Sequence, residues 1–188
     1  MGYIRAYIES ITYLSEQDWQ LISSYFVRRE FKKGVKLIQI GETEKYLNFI
    51  EKGIVRYYIP DEEKELTFGF SFDKEFTCAY DSFLTQMPTE YEQETLTNTV
   101  VWSISYNDLQ KVYNQTRTGN HWGRFAAEKL FLNKSKREVS LLKYSAKERY
   151  LRLLSDRSNI IRHIPLKYVA SYIGITPQAL SRIRKEIC

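Results

Sequence analysis

Ile164-Pro165-Leu166-Lys167-Tyr168-Val169-Ala170-Ser171-Tyr172-Ile173-Gly174-Ile175-Thr176-Pro177-Gln178-Ala179-Leu180-Ser181-Arg182-Ile183-Arg184-Lys185-Glu186-Ile187 is the most specific run in this 188-residue sequence. Pro165 suits the first turn of a helix, where a missing N–H is no loss. That helix turns Val169, Ala170 and Ile173 inward, and the small Ala170 lets a second helix cross closely. Gly174 ends it where a left-handed backbone is needed. Thr176 then caps and Pro177 opens a second helix, whose inward set is Leu180, Ile183 and Ile187. Two short helices, a tight turn and this core spacing predict a helix-turn-helix. Gln178, Ser181 and Arg182 project from the free face near the N-terminal end, where side chains reach base edges in a major groove. Lys167, Thr176, Arg184 and Lys185 flank them as phosphate contacts.

The charge distribution agrees. Residues 1–60 carry 9 Lys/Arg and 7 Asp/Glu, and residues 61–94 carry 2 and 10. Residues 95–116 carry 1 of each, and residues 117–188 carry 16 and 5, within a net charge of +5. A C-terminal segment at +11 beside a middle at −8 points one end of the chain at a polyanion. No apolar run approaches the roughly 20 residues that span a bilayer. The N-terminus has no smooth apolar stretch of a signal peptide, since Arg5, Glu9 and Tyr13 interrupt it. A cytoplasmic protein without a membrane partner is expected. Cys78 and Cys188 make neither a disulfide framework nor a zinc cluster and read as buried or incidental thiols.

Ahead of this basic end the texture is that of strands. Ser15 and Asp18 open a helix with Trp19, Ile22 and Phe26 inward. Leu37 to Ile40 stops at Gly41. Leu47 to Ile50 turns through Glu51-Lys52-Gly53 into Ile54 to Ile59, and Pro60 with Asp61 to Lys64 makes the next turn. Phe68, Phe70 and Phe72 share one face at period two, and Val100, Trp102 and Ile104 repeat the alternation. Short strands with regular turns suggest an antiparallel barrel or sandwich. Ser105 and Asp108 start a helix to about Tyr113, broken at Thr116 to Gly119. A long helix follows from about Asn120 to Tyr144. Trp122, Phe125, Leu132 and Val139 form one stripe on it, and Ala126, Leu130 and Leu141 a second, so it has two apolar faces to cover. One would meet its own barrel and the other the same helix of a second subunit. Ser145 with Glu148 starts a further helix to about Leu154.

In this order the elements resemble the Crp/Fnr family of transcription regulators. The stretches Lys33 to Glu42 and Phe49 to Val55 are similar to the opening strands of that family's sensor barrel, and Ile104-Ser105-Tyr106 to its exit. The resemblance implies an α+β protein: an N-terminal double-stranded β-helix (jelly-roll) barrel over 1–117, a long dimerisation helix over 118–144 and a small helix-turn-helix domain over 145–188. It implies double-stranded DNA and a second copy of the chain as partners, with RNA polymerase and an unknown small-molecule effector beside them. A β-hairpin wing would follow the recognition helix in the family, and the sequence stops at Cys188 without one, so wing contacts to the DNA backbone are expected to be missing.

The ligand site departs from the family. Cyclic-nucleotide-binding members use a Gly-Glu pair and a nearby Arg-Ser. Here those stretches read Phe76-Thr77-Cys78-Ala79-Tyr80-Asp81-Ser82-Phe83 and Pro88-Thr89-Glu90-Tyr91-Glu92-Gln93-Glu94. No Arg or Lys lies between Lys74 and Lys111, and the carboxylates would repel a phosphodiester. Cyclic AMP is therefore not expected. An iron–sulfur cluster needs about four cysteine ligands, and haem an axial ligand such as His121 or Cys78, so no cofactor is assigned. Phe70, Phe72, Tyr80 and Phe83 line a candidate effector pocket, or simply pack the barrel. His121 and His163 both fall outside the barrel, which argues against a metal site there, and no catalytic motif stands out. Glu90, Glu92 and Glu94 read as a solvated edge. The functional expectation is a dimeric, sequence-specific DNA-binding regulator. Its alternative is a barrel that senses a small molecule or a protein without acting on DNA.

Overall fold

The computed structural model describes residues 1–61 and 64–187, so Cys188 and the Glu62-Glu63 part of the predicted Asp61–Lys64 turn lie outside the described residues. Seventeen elements follow in order: α1 (Gly2–Glu9), α2 (Glu16–Ser24), β1 (Val27–Phe31), β2 (Lys36–Ile38), β3 (Tyr46–Lys52), β4 (Val55–Ile59), β5 (Leu66–Ser71), β6 (Phe76–Thr77), α3 (Tyr80–Thr85), β7 (Glu92–Thr95), β8 (Thr99–Ser105), α4 (Tyr106–Gln115), α5 (Arg117–Lys143), α6 (Ala146–Asp156), α7 (Ser158–His163), α8 (Leu166–Tyr172) and α9 (Pro177–Ile187). No helix among the described residues is long and apolar enough to cross a membrane.

The strands form two four-stranded sheets, β1-β8-β3-β6 and β2-β7-β4-β5. This is the predicted antiparallel sandwich. β8 is the hub of the first sheet, pairing β1 from Val27↔Ser103 to Phe31↔Thr99 and β3 from Tyr46↔Ser105 to Ile50↔Val101. Its period-two alternation is real, but Val100 and Trp102 are only half-buried. Thr99, Val101 and Ser103 are the buried alternating set, and Val101 packs with Ile50 and Val55. Ile104, on the other face, is buried among helices.

The chain divides into two compact units. The first joins residues 1–57 and 70–129, and the second joins 58–69 and 130–188. In the first unit the helices supply half the core. Ile4 and Ile8 of α1, Ile22 of α2, Leu109 and Val112 of α4 and Trp122 of α5 pack with Phe49, Phe83 and Ile104. Ser15 and Ser105 cap α2 and α4 by accepting the N–H of Asp18 and Asp108, as their spacing predicts. The predicted break from Thr116 to Gly119 shrinks to one residue. Thr116 alone is extended, and α5 starts at Arg117. Gly119 serves contact here: a Cβ on it would lie 2.7 Å from Val112 Cγ1 and from Thr116 Oγ1.

In the second unit, α6 starts on a complete capping box between Ser145 and Glu148. Tyr150 and Leu153 of α6, Ile160 of α7, Ile164, Val169 and Ala170 of α8 and Leu180 of α9 are its buried apolar side chains. Among these, only short local signals in the sequence were needed to place α8 and α9.

Candidate nucleic-acid interface

α8 and α9 are joined by a turn of four residues, 173–176, whose sharpest point is Gly174 at φ +76°, in the left-handed region that favours glycine. The N–H of Gly174 donates to Ser171 O and that of Ile175 to Ala170 O, both at 3.0 Å, which satisfies carbonyls at the end of α8. Thr176 Oγ1 accepts the N–H of Ala179 at 3.2 Å and starts α9. Val169, Ala170, Ile173 and Leu180 are buried, as predicted. Ile183 is half-buried, and Ile187 is exposed instead of buried.

The opposite face of α9 is polar and open. Gln178, Arg182 and Lys185, spaced four and three residues apart, fall on one stripe, and all three are exposed. Ser181, beside them, is half-buried and donates its hydroxyl back to Pro177 O at 3.0 Å, which leaves its oxygen to accept. Thr176, Arg184 and Lys167 are exposed, with the Lys167 ammonium 4.6 Å from the Tyr168 ring centroid. The structure thus brings every predicted DNA-contact residue to the α8–α9 pair.

The stripe on α5 divides. Trp122 is 1% exposed and belongs to the first unit's core, its ring 5.4 Å from that of Phe76. Phe125 (41%), Leu132 (56%) and Val139 (50%) stand in solvent at seven-residue spacing. Phe131 (71%) and Leu142 (82%) of α5 are also exposed, on a neighbouring flank of the helix.

Inside the first unit, Phe70, Phe72 and Phe83 are buried and Tyr80 half-buried. Tyr80 stacks on Phe83 at 6.4 Å, and Phe83 meets Tyr106 edge-on at 5.3 Å, so this pair packs toward the helices. A polar network invisible to sequence pattern lies nearby. Tyr57 Oη is 2.9 Å from Ser71 Oγ and donates to Thr77 Oγ1 at 2.8 Å, which donates in turn to Gln93 Oε1 at 3.0 Å. Burial pushes the Tyr57 phenol up to about 12. Glu44 is also buried, and burial raises its carboxyl above the usual range, against the N–H donors of Tyr46, Ala79 and Lys45.

The acidic stretch overturns an expectation. Of Glu90, Glu92 and Glu94, only Glu90 is a solvated edge residue. Glu92 is buried and pairs with Lys36 Nζ at 2.7 Å, and Glu94 pairs at 2.9 Å with Nε of Arg56, a fully buried side chain. The cations come from β2 and β4, far away in sequence, so a scan for nearby Arg or Lys missed them. These carboxylates are neutralised, and the predicted repulsion of a phosphodiester does not follow from them.

Residues 28–116 match the family model of the cyclic nucleotide-binding domain. Solved structures resemble most or all of the chain. A Crp/Fnr-family transcriptional regulator from Eubacterium rectale aligns over 100% of this chain and 88% of its own, with TM-score 0.73 and 18% identity. The chain has the Crp/Fnr fold. FixK2 of Bradyrhizobium japonicum gives TM-score 0.69 at 15% identity over 86% of this chain and 84% of its own. The c-di-GMP-responsive global regulator CLP of Xanthomonas campestris gives 0.68 at 18% identity over 92% and 91%. No curated protein matches the sequence. Within the Crp/Fnr fold the cyclic nucleotide-binding match stops at residue 116, one residue before α5. The α8–α9 pair therefore lies outside it, and its reading rests on its own residues.

Proposed function

We propose that this Crp/Fnr-type chain is a regulator, not an enzyme, that reads duplex DNA as a homodimer through a helix-turn-helix formed by α8 and α9. The observation that carries this is the α9 stripe: Gln178 and Arg182 are exposed while Leu180, on the other side of the helix, is fully buried. Gln and Arg match adenine and guanine edges bidentately, and Arg184, Lys185, Lys167 and Thr176 flank them for phosphates. The exposed seam of Phe125, Leu132 and Val139 supports pairing of two α5 helices at heptad spacing. Two-fold pairing would present two reading faces to a palindromic site. A DNA reader works where the chromosome is, which supports a cytoplasmic location.

We further propose that neither cyclic AMP nor haem nor an iron–sulfur cluster is the signal. The phosphodiester's natural partner, a buried guanidinium, is present as Arg56 but is engaged by Glu94. The test is selection of binding sites from random duplexes with the full chain, followed by fluorescence anisotropy at several salt concentrations. Expected are a palindromic consensus, affinity that falls steeply with salt, and a loss of about 10–100-fold for Arg182→Ala, confined to its cognate base. Weak, sequence-indifferent binding would instead favour a sensing barrel without DNA activity.

A further inference from the structure

The end of α8 is held by three different elements at three consecutive residues. Ser171 Oγ accepts the N–H of Thr67 and donates to Glu65 O, both at 2.8 Å, which ties it to residues 58–69 of its own unit. Arg137 of α5 donates from Nη2 to Tyr172 O at 3.0 Å, with its guanidinium 4.8 Å from the Tyr172 ring centroid. Arg149 of α6 donates from Nε to Ile173 O at 2.9 Å and from Nη1 to Tyr144 O. The last carbonyls of a helix lack intrahelical partners and carry its negative end, so cationic donors there are doubly favoured. What is unusual is the cost accepted for it. Arg137 is half-buried, its Nε has no hydrogen-bond partner among the described residues, and burial lowers its pKa. Thr67, on the other side, is buried too. A helix needing only stability would end in solvent at lower cost.

The next residues after this grip are the Gly174 turn and α9. We propose that Arg137, Arg149 and Ser171 are positioning residues that fix the pose of the α9 reading face relative to α5, and so set the half-site spacing that a dimer accepts. This rests on the DNA-binding reading above. A dimer whose reading helices swivel would accept many spacings. One whose helices are gripped from α5, α6 and the 58–69 segment at once accepts few. The fork of Arg149 matters as much as its charge, since two nitrogens meet two carbonyls.

The experiment uses the full chain and its Arg149→Lys and Ser171→Ala variants, with the selected operator built at spacings from two base pairs short to two long, and with an isolated half-site duplex. The wild type is expected to show a sharp optimum, with about tenfold or more lost at two base pairs, because each base pair turns a half-site by roughly a tenth of a circle. Both variants are expected to bind the half-site within about twofold of wild type yet show a flattened spacing profile, a change of less than about threefold across the series. Loss of general helix stability would lower half-site and full-site affinity together and leave the profile's shape alone, and that result would overturn the proposal. Amide exchange gives a readout free of DNA: Ser171→Ala should speed exchange at Thr67 by about tenfold or more, since its acceptor is gone. Unchanged exchange there would also overturn it. No sequence-specific binding by the wild type would sink the DNA reading and the mount's role in it. Normal wild-type binding with unaltered variant profiles would sink the mount alone.

Discussion

Arg56→Met offers the sharpest test of how the barrel is held together. The Arg56 side chain is 1% exposed and its partner Glu94 18% exposed, with Nε and Oε1 2.9 Å apart. Removing one member of a buried ion pair strands the other, at a typical cost of about 3–5 kcal/mol. Glu94 keeps some access to water, so the lower end, about 3 kcal/mol, is expected. For a chain of this size that lowers the thermal midpoint by roughly 6–12 °C. Replacing both partners, Arg56→Met with Glu94→Leu, removes the stranded charge and should recover stability to within about 1 kcal/mol of wild type. Tryptophan fluorescence reports the right unit, because Trp19, Trp102 and Trp122 all lie in the first one. A thermal melt followed by this signal, with a urea titration beside it, measures all three variants. A single substitution costing under 1 kcal/mol, or a double variant as weak as the single, would refute the reasoning.

The same fluorescence assay should show Gly119→Ala destabilised by about 1–3 kcal/mol through overpacking against α4, outweighing the roughly 1 kcal/mol that alanine gains in a helix. Leu132→Asp places a charge in the exposed α5 seam and is expected to shift the chain to monomer in sizing with light scattering, while circular dichroism stays unchanged. Ser145 holds the Glu148 carboxyl below its ordinary 4.5, so the capping box stabilises fully above that pH and loses its contribution as pH falls through the folded value. Glu148→Gln should accordingly remove that part of the acid dependence, read as helicity against pH from 7 down to 3. Cyclic AMP at about 1 mM should raise the melting midpoint by less than about 2 °C, and a rise several times larger would contradict the proposed insensitivity.

What was legible in the sequence was whatever is decided locally. Ser15, Ser105 and Ser145 each announced a helix, and Gly174, Thr176 and Pro177 announced the turn into α9, because a cap or a left-handed residue depends on three or four neighbours. Spacing placed Val169, Ala170, Ile173 and Leu180 in the core, but not Ile187, which is exposed. Non-local partners defeated the reading. α1 went unseen because Arg5 and Glu9 break its apolar run, yet Ile4 and Ile8, four apart, are fully buried against the barrel core. Gly119 read as a helix breaker although its role is close contact with α4. Trp122 and Phe125 share a stripe, and only the fold shows that one is core and the other surface. Glu92 and Glu94 read as solvated because their cations lie 56 and 38 residues away, at Lys36 and Arg56.

That last misreading changes the argument about the effector without reversing it. Repulsion by Glu92 and Glu94 no longer excludes a phosphodiester, since each carboxylate is matched by a cation. The obstacle is instead competition. A phosphate would have to displace Glu94 from Arg56 in a site with little access to water, and disrupting a buried ion pair costs several kcal/mol. A neutral ligand that leaves the ion pair alone faces no such cost. On the proposed reading, the buried Arg56–Glu94 pair would therefore disfavour an anion that competes for Arg56, although the pair is electrically neutral as a whole.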